Sequence, residues 1–217
     1  SNSVLVAHSD NLRILRKHRQ DLVLLPENGI LSVEAGSSVD YNGRLKLVFV
    51  GSLDERKGIL TLLKVINMLD SSKYELHIVG DGALRREVNN YVKRHGLDEV
   101  VMCYGKISRE DVLAVMGQMH LNILLSINEG NPNTLWESMS IGLPTLSLEH
   151  CGMKDTICSN CGILVPLMSE REVIEFVFEK LNSITKDELA RLAKGVTECR
   201  ENFLHAKRIK IYEEIYQ

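Results

Sequence analysis

The sequence contains no apolar run approaching membrane-spanning length, and no signal peptide opens it. It has little net charge: 26 Lys and Arg against 29 Asp and Glu leave −3, so there is no basic footprint for nucleic acid. The G-x-G-x-x-G fingerprint is missing, as is a strand-to-helix G-x-S-x-G elbow. Dinucleotide dehydrogenases and serine hydrolases therefore lack their anchors. Internal repeats and low-complexity segments are also absent. Cysteine is sparse and odd in number, five in 217 residues, which without a secretion signal favours reduced thiols. A cytoplasmic setting is expected from those thiols, with the inner face of the membrane as a site open to the chain. Cys158 and Cys161 form a CxxC with Cys151 upstream, but no second pair at zinc-ribbon spacing follows, and the nearest histidine, His150, adjoins Cys151. Structural or incidental thiols are the preferred reading, and no metal is expected.

What is present is ordinary for a globular chain, 44% hydrophobic and 25% charged, long enough for one domain or one and a half. Strand-like runs alternate with amphipathic helices. RLKLVFVG (44–51) precedes KGILTLLKVINML, in which Ile59, Leu62, Leu63, Ile66 and Leu69 recur at helical spacing. YELHIVG (74–80) ends in Gly80-Asp81-Gly82, a tight turn, and leads to a charged helix closed by Gly96. EVVMCYG (99–105) precedes a helix capped by Ser108. LNILLS (121–126), LPTLSL (143–148) and a weaker CGILVP (161–166) complete six strand candidates, and the remainder from about Ser169 is helical, closing with KRIKIYEEIY. Near-continuously apolar strands between helices predict an α/β fold: a doubly wound, Rossmann-like parallel sheet with helices on both faces.

Residues 1–43 fit differently. They hold a short strand, a basic helix after Ser9-Asp10, an apolar run ending in Pro26-Glu27-Asn28-Gly29, and a small, polar hinge-like stretch to Gly43. Such a β-α-β piece cannot bury its own faces and reads as the tail of another domain. Its basic run (Arg13, Arg16, Lys17, His18, Arg19) is capable of touching anionic lipid; a solvated helix face is the simpler account.

The chemically informative stretch is EGNPNTLWESMSIGLP (129–144), which follows the fourth strand, where doubly wound sheets bind ligands. Asn131 suits a helix cap, Pro132 the first turn, Gly142 the end, and Pro144 prevents continuation. A helix starting there aims the backbone N–H groups of Asn133, Thr134 and Leu135 above the strand ends, attracting an anion without any cationic side chain. The stretch nevertheless carries Glu129 and Glu137. An ionised carboxylate accepts two hydroxyl donors side by side, as a vicinal diol offers. Phosphate at the helix tip with a polyol on either side accommodates both features, so the implied ligand is a nucleoside diphosphate joined to a sugar. Lys57 and Arg56, in GSLDERKG, are candidate counter-cations, and Gly51 and Gly58 permit close approach. Lys57 stands at a helix start, where the dipole disfavours it. Trp136 reads as packing.

With seven residues between Glu129 and Glu137, this stretch resembles the E-x7-E motif of the retaining, nucleotide-sugar-dependent glycosyltransferases of GT-B architecture, family 4. FVGSLDERKG, LHIVGDG, VVMCYGKI and CGILVP resemble further stretches of that family in the same order. The resemblance implies that 44–217 is the donor-binding domain and 1–43 a remnant of the amino-terminal acceptor domain plus hinge. It implies Glu129 and Lys57 as catalytic groups. Gly51, Ser52, Arg56, Lys57, Asn133, Thr134 and Leu135 would meet the donor diphosphate. Glu129, Gly130, Asn131 and Pro132 would meet the sugar, Glu137 the ribose, and Gly105, Lys106 and Ile107 the nucleobase. Transfer would proceed with retention, from a UDP-, GDP- or ADP-linked sugar to a sugar or lipid-linked acceptor, with no cofactor and no required metal. Two positions depart from the pattern. Ser52 stands where an arginine is common, and Asn131 where an aromatic is frequent. The chain alone is expected to bind donor weakly and transfer nothing. A nucleotide-sugar epimerase of the same architecture and a non-catalytic nucleotide-binding or assembly module are the alternatives.

Overall fold

The computed structural model describes residues 4–7, 9–24, 30, 42–127, 132–150, 152–204 and 209. The leading segment forms its own parallel pair, β1 (Val4–Val6) and β2 (Leu22–Leu24), joined by α1 (Ser9–Leu15). No residue of α1 is buried. Its start meets the main body through Lys154 Nζ to Asp10 Oδ1 (2.6 Å) and the Ser9 N–H, which donates to Asp155 Oδ2 (2.7 Å).

All six strand candidates of the main body are strands: β3 (Leu45–Val50), β4 (Tyr74–Val79), β5 (Val101–Gly105), β6 (Leu121–Leu124), β7 (Thr145–Leu148) and β8 (Gly162–Val165). They form one fully parallel sheet in the order β5-β4-β3-β6-β7-β8. The chain enters at β3 in the middle, winds out to β5, returns to β6 and winds out to β8. Its direction of winding therefore reverses between β3 and β6, which opens a crevice at their carboxyl ends.

Both faces of β3 are covered. Leu47 and Phe49 join one apolar cluster, while Val48 joins another with Met116, Met119 and Leu143. The first cluster includes α2 (Ile59–Met68), whose buried Ile59, Leu62, Leu63 and Ile66 follow the helical period read from the sequence. α3 (Arg85–Arg94) ends two residues before Gly96, which takes φ +64°, and α4 (Arg109–Met116) is capped by Ser108, whose Oγ accepts from the Asp111 N–H. α5 (Asn133–Ser140) is followed by α6 (Met153–Thr156), a short helix with no clear sequence signal. The terminal helical region divides at Ile184-Thr185 into α7 (Glu170–Ser183) and α8 (Lys186–Cys199), because Ser169 and Thr185 each cap a new helix. The KRIKIYEEIY ending lies outside the described residues apart from Ile209. No helix among the described residues is long and apolar enough to cross a membrane.

Candidate functional site

Three turns meet at the carboxyl edge of the sheet. After β3, residues 51–58 make a turn closed by a 3-10 segment, Glu55–Lys57, which Asp54 caps by accepting from the Arg56 N–H. The turn after β4 presses directly against it. A Cβ at Gly80 (φ +141°) would stand 1.8 Å from the Gly51 carbonyl oxygen, and one at Gly82 2.6 Å from that of Leu53. Leu53 donates to the Asp81 carbonyl (3.1 Å), and Leu84 donates back to Leu53 (2.8 Å). Gly80-Asp81-Gly82 is not itself the tight turn expected of it: the turn falls one step later, at Ala83-Leu84, where the Arg85 N–H donates to the Gly82 carbonyl (3.1 Å), while residues 80–82 buttress the first turn. The third turn, after β6, is latched by the Ile127 N–H donating to the Arg56 carbonyl (2.9 Å).

Helix α5 is held over β3 by the Thr134 hydroxyl, which donates to the Val50 carbonyl (3.3 Å). This brings the helix start beside Gly51, along which the Lys57 stem runs; a Cβ on Gly51 would be 3.8 Å from Lys57 Cδ. Lys57 is half-buried, and burial pushes its ammonium pKa down, with Asp54 opposing that shift and Arg56 adding to it. Two details of the predicted anion site change. Pro132, with φ −66° and ψ 142°, occupies the N-cap place expected for Asn131, so the helix starts at Asn133. The Leu135 N–H already donates to the Pro132 carbonyl (3.0 Å), so of the three amides expected to meet an anion this one is engaged within the helix start.

Ser52 and Arg56, both assigned to the diphosphate, engage Asp54. The Ser52 hydroxyl donates to Asp54 Oδ2 at 2.6 Å, and the Arg56 guanidinium lies 3.3 Å from the same oxygen. These partners, Ser52 foremost, hold the Asp54 carboxyl below its ordinary pKa. An adjacent position aims differently: Arg56 secures the turn while Lys57 follows its floor.

Glu137 lies on α5 with its side chain 15% exposed, 3.2 Å from Arg109 Nε, whose own side chain is 64% exposed. This partner was not foreseen. The signal existed, since an arginine at the first residue of α4 is as unfavourable for the helix dipole as Lys57 is. Gly105 (φ +70°), which ends β5, accepts from the Gly80 N–H (2.8 Å); Lys106 is exposed and Ile107 half-buried. The predicted nucleobase residues therefore begin at the same sheet edge as the phosphate turn. Trp136 is 4% exposed and packs on Phe203 at 5.5 Å between ring centroids, so the packing assignment holds. Glu129, Gly130 and Asn131 lie outside the described residues, as does Cys151.

The edge thus carries a half-buried lysine, helix-tip amides and a carboxylate at one switch point, on a Rossmann-like sheet. The profile of the glycosyl transferases group 1 family matches residues 34–195, and the chain belongs to that family. It is similar to the putative colanic acid biosynthesis glycosyltransferase WcaL of Escherichia coli K12, with 25% identity over 167 residues, covering 73% of this chain and 41% of that protein. Amylovoran biosynthesis glycosyltransferase AmsK of Erwinia amylovora is 24% identical over 183 residues, covering 79% of this chain and 45% of AmsK. The chain thus spans about half the length of the curated relatives it matches. Among solved structures, Alr3699/HepE of Anabaena in complex with UDP superposes with a TM-score of 0.80 at 16% identity, over 100% of this chain and 64% of that one. The pneumococcal O-GlcNAc transferase GtfA in complex with UDP and GlcNAc gives 0.78 at 18% identity, over 98% and 45%. At these identities the likeness is one of fold, and it matches the doubly wound sheet read from the sequence.

Proposed function

We propose that this chain is the donor-binding part of a retaining glycosyltransferase that moves a sugar from a nucleotide-diphospho-sugar to a sugar or lipid-linked acceptor, in polysaccharide or glycolipid synthesis. In this reading residues 44–217 hold the donor, and 1–43 belong to the acceptor domain and hinge. The observation that carries it is the convergence of Lys57, the α5 tip and Glu137 on the crevice between β3 and β6. Lys57 and the amides of Asn133 and Thr134 stabilise the charge that builds on the leaving diphosphate, a role that needs fixed donors rather than a metal. Glu129 holds the sugar hydroxyls, Glu137 the ribose diol, and Gly105 to Ile107 lie against the base. The fold neighbours solved with UDP, and relatives named for polysaccharide synthesis, support this assignment.

Calorimetric titration with UDP, GDP and ADP tests it. One nucleotide should bind selectively, and Glu137→Gln should weaken it about tenfold, the scale of a hydrogen bond to a charged group. The 2′-deoxy form of that nucleotide should lose much less. Arg109→Ala should weaken binding by up to about fivefold, because an exposed ion pair orients the carboxylate only modestly. Equal losses for the ribo and deoxy forms would remove Glu137 from the ribose.

A second reading, a nucleotide-binding module without turnover, is favoured by one observation: Ser52 replaces a cation and Arg56 turns to Asp54. Donor binding without transfer by the full-length protein would select it.

A further inference from the structure

Three thiols converge at the opposite edge of the sheet from the donor crevice. Cys158 and Cys161 lie in the turn that enters β8, and so at its amino end, while Cys199 is the last residue of α8. Their Sγ atoms all lie within 4.8 Å of one another. Cys158 Sγ is 2.8 Å from Cys199 Sγ, and Cys161 Sγ accepts from the Cys158 N–H at 2.9 Å. Cys161 is only 4% exposed.

The meeting is imposed by backbone contact. A Cβ on Gly195 would stand 1.7 Å from the Asn160 carbonyl oxygen and 3.3 Å from the Cys161 nitrogen, so α8 rests directly on the turn. Cys199 is one helical turn beyond Gly195, on the same face, and this spacing delivers its thiol to the pair. Gly162 pins the other side: a Cβ there would be 2.5 Å from the Thr145 carbonyl oxygen.

Thiolates around a single tetrahedral zinc, at Zn–S of about 2.3 Å, stand about 3.8 Å from each other. The Cys158–Cys199 pair, at 2.8 Å, would open by about 1 Å to reach that value, and Cys161 Sγ, within 4.8 Å of both, is already in range of the same ion. A Cys158–Cys199 disulfide would use two sulfurs and leave the third without a role. The Cys158 N–H on Cys161 Sγ is instead the kind of outer hydrogen bond that supports a thiolate ligand. A cavity of about 300 Å³, lined by Cys158, Ser159, Lys180, Glu188 and Arg191 among others, opens beside Cys158; Lys180 is ion-paired with Glu188 there (2.7 Å), and Arg191 adds the remaining positive charge of the lining.

We propose that Cys158, Cys161 and Cys199 form a zinc-type metal site that fastens α8 to the turn before β8. On binding, the three thiols release three protons, three S–Zn bonds form, and the centre carries a net charge of −1 with water completing the coordination. The site is structural and stands apart from sugar transfer.

Titrating the reduced full-length protein with cobalt(II) tests the proposal. One equivalent should produce thiolate-to-cobalt charge-transfer and tetrahedral d–d absorption, both displaced by zinc. Cys158→Ser and Cys199→Ser should each weaken cobalt binding by more than the about 10–100-fold typical of losing an outer-shell partner. Cys103→Ser should change nothing. Zinc should raise the melting temperature of the parent and not that of Cys199→Ser, which separates a lost ligand from a misfolded variant. Absence of the charge-transfer band overturns the proposal, as does its survival in both variants. So does a Cys158–Cys199 disulfide that persists under reductant and excludes the metal.

Discussion

Replacing Lys57 by methionine should weaken nucleoside diphosphate binding about tenfold to a hundredfold while leaving the melting temperature unchanged or slightly raised. The binding loss follows from removing a charge-assisted contact, about 1.5–3 kcal/mol. The stability result follows from the sign of the pKa shift. Burial lowers the Lys57 pKa in the folded chain, so over the window between its folded and unfolded values the unfolded chain holds the extra proton. Stability then rises with pH through that window, which means that the charged ammonium opposes folding at neutral pH. Methionine keeps most of the stem that runs along Gly51 and removes the charge. A bound diphosphate should pull the pKa back up. Binding above the folded pKa should therefore be accompanied by proton uptake, and affinity should fall as pH rises through it, earlier than for an exposed lysine. Calorimetry in buffers of different ionisation enthalpy reads the uptake. A Lys57→Met chain that melts well below the parent but binds normally would make this lysine a structural group.

Gly80→Ala should produce the largest structural effect at the edge. The residue sits at φ +141°, where side chains are rarely tolerated, and its Cβ would fall 1.8 Å from the Gly51 carbonyl oxygen. Backbone strain of about 1–3 kcal/mol adds to a comparable cost of forcing the two turns apart, so a loss of about 3 kcal/mol or more is expected. Because the displaced partner is the turn that carries Lys57, binding should fail along with stability. Gly96→Ala provides the contrast: φ is +64°, with nothing within 4 Å of its Cβ, so only strain applies and binding should survive. Denaturant melts and a nucleotide titration on the two variants check this. A Gly80→Ala chain within roughly 2 °C of the parent would mean that the two turns are not in contact as described.

Much of this was legible before folding. The six strands announced themselves because a parallel sheet covered on both faces needs short, near-continuous apolar runs, of which residues 47–50 are one, while Tyr74–Val79 showed instead by alternation, with Glu75 and His77 between apolar residues. Lys57 stood out by its conflict with the helix dipole, and Trp136 read as packing. The hydrogen-bond partners were not legible. Arg109 is 28 residues from Glu137, and nothing local requires them to meet. Arg56 and Lys57 are adjacent, and which of them follows the Gly51 floor depends on Asp54 capping the 3-10 segment. The cysteines make the same point. Spacing along the chain found only a CxxC, because the third thiol arrives through Gly195 on a helix whose packing no local signal encodes.

The sequence by itself determined the class of fold, the place of the crevice after the first and fourth strands of the main sheet, and the residue types that could meet an anion and a diol there. Those properties depend on periodicity and on local backbone chemistry, which act over a few residues. Tertiary structure alone decided which of those groups face the crevice and which hold one another: Asp54 took Arg56 and Ser52, Glu137 gained Arg109, and Cys199 joined Cys158 and Cys161. Each of those outcomes rests on where glycines let backbones touch or on which donor reaches a carboxylate first. Such distances exist only once the sheet has brought remote turns to one edge.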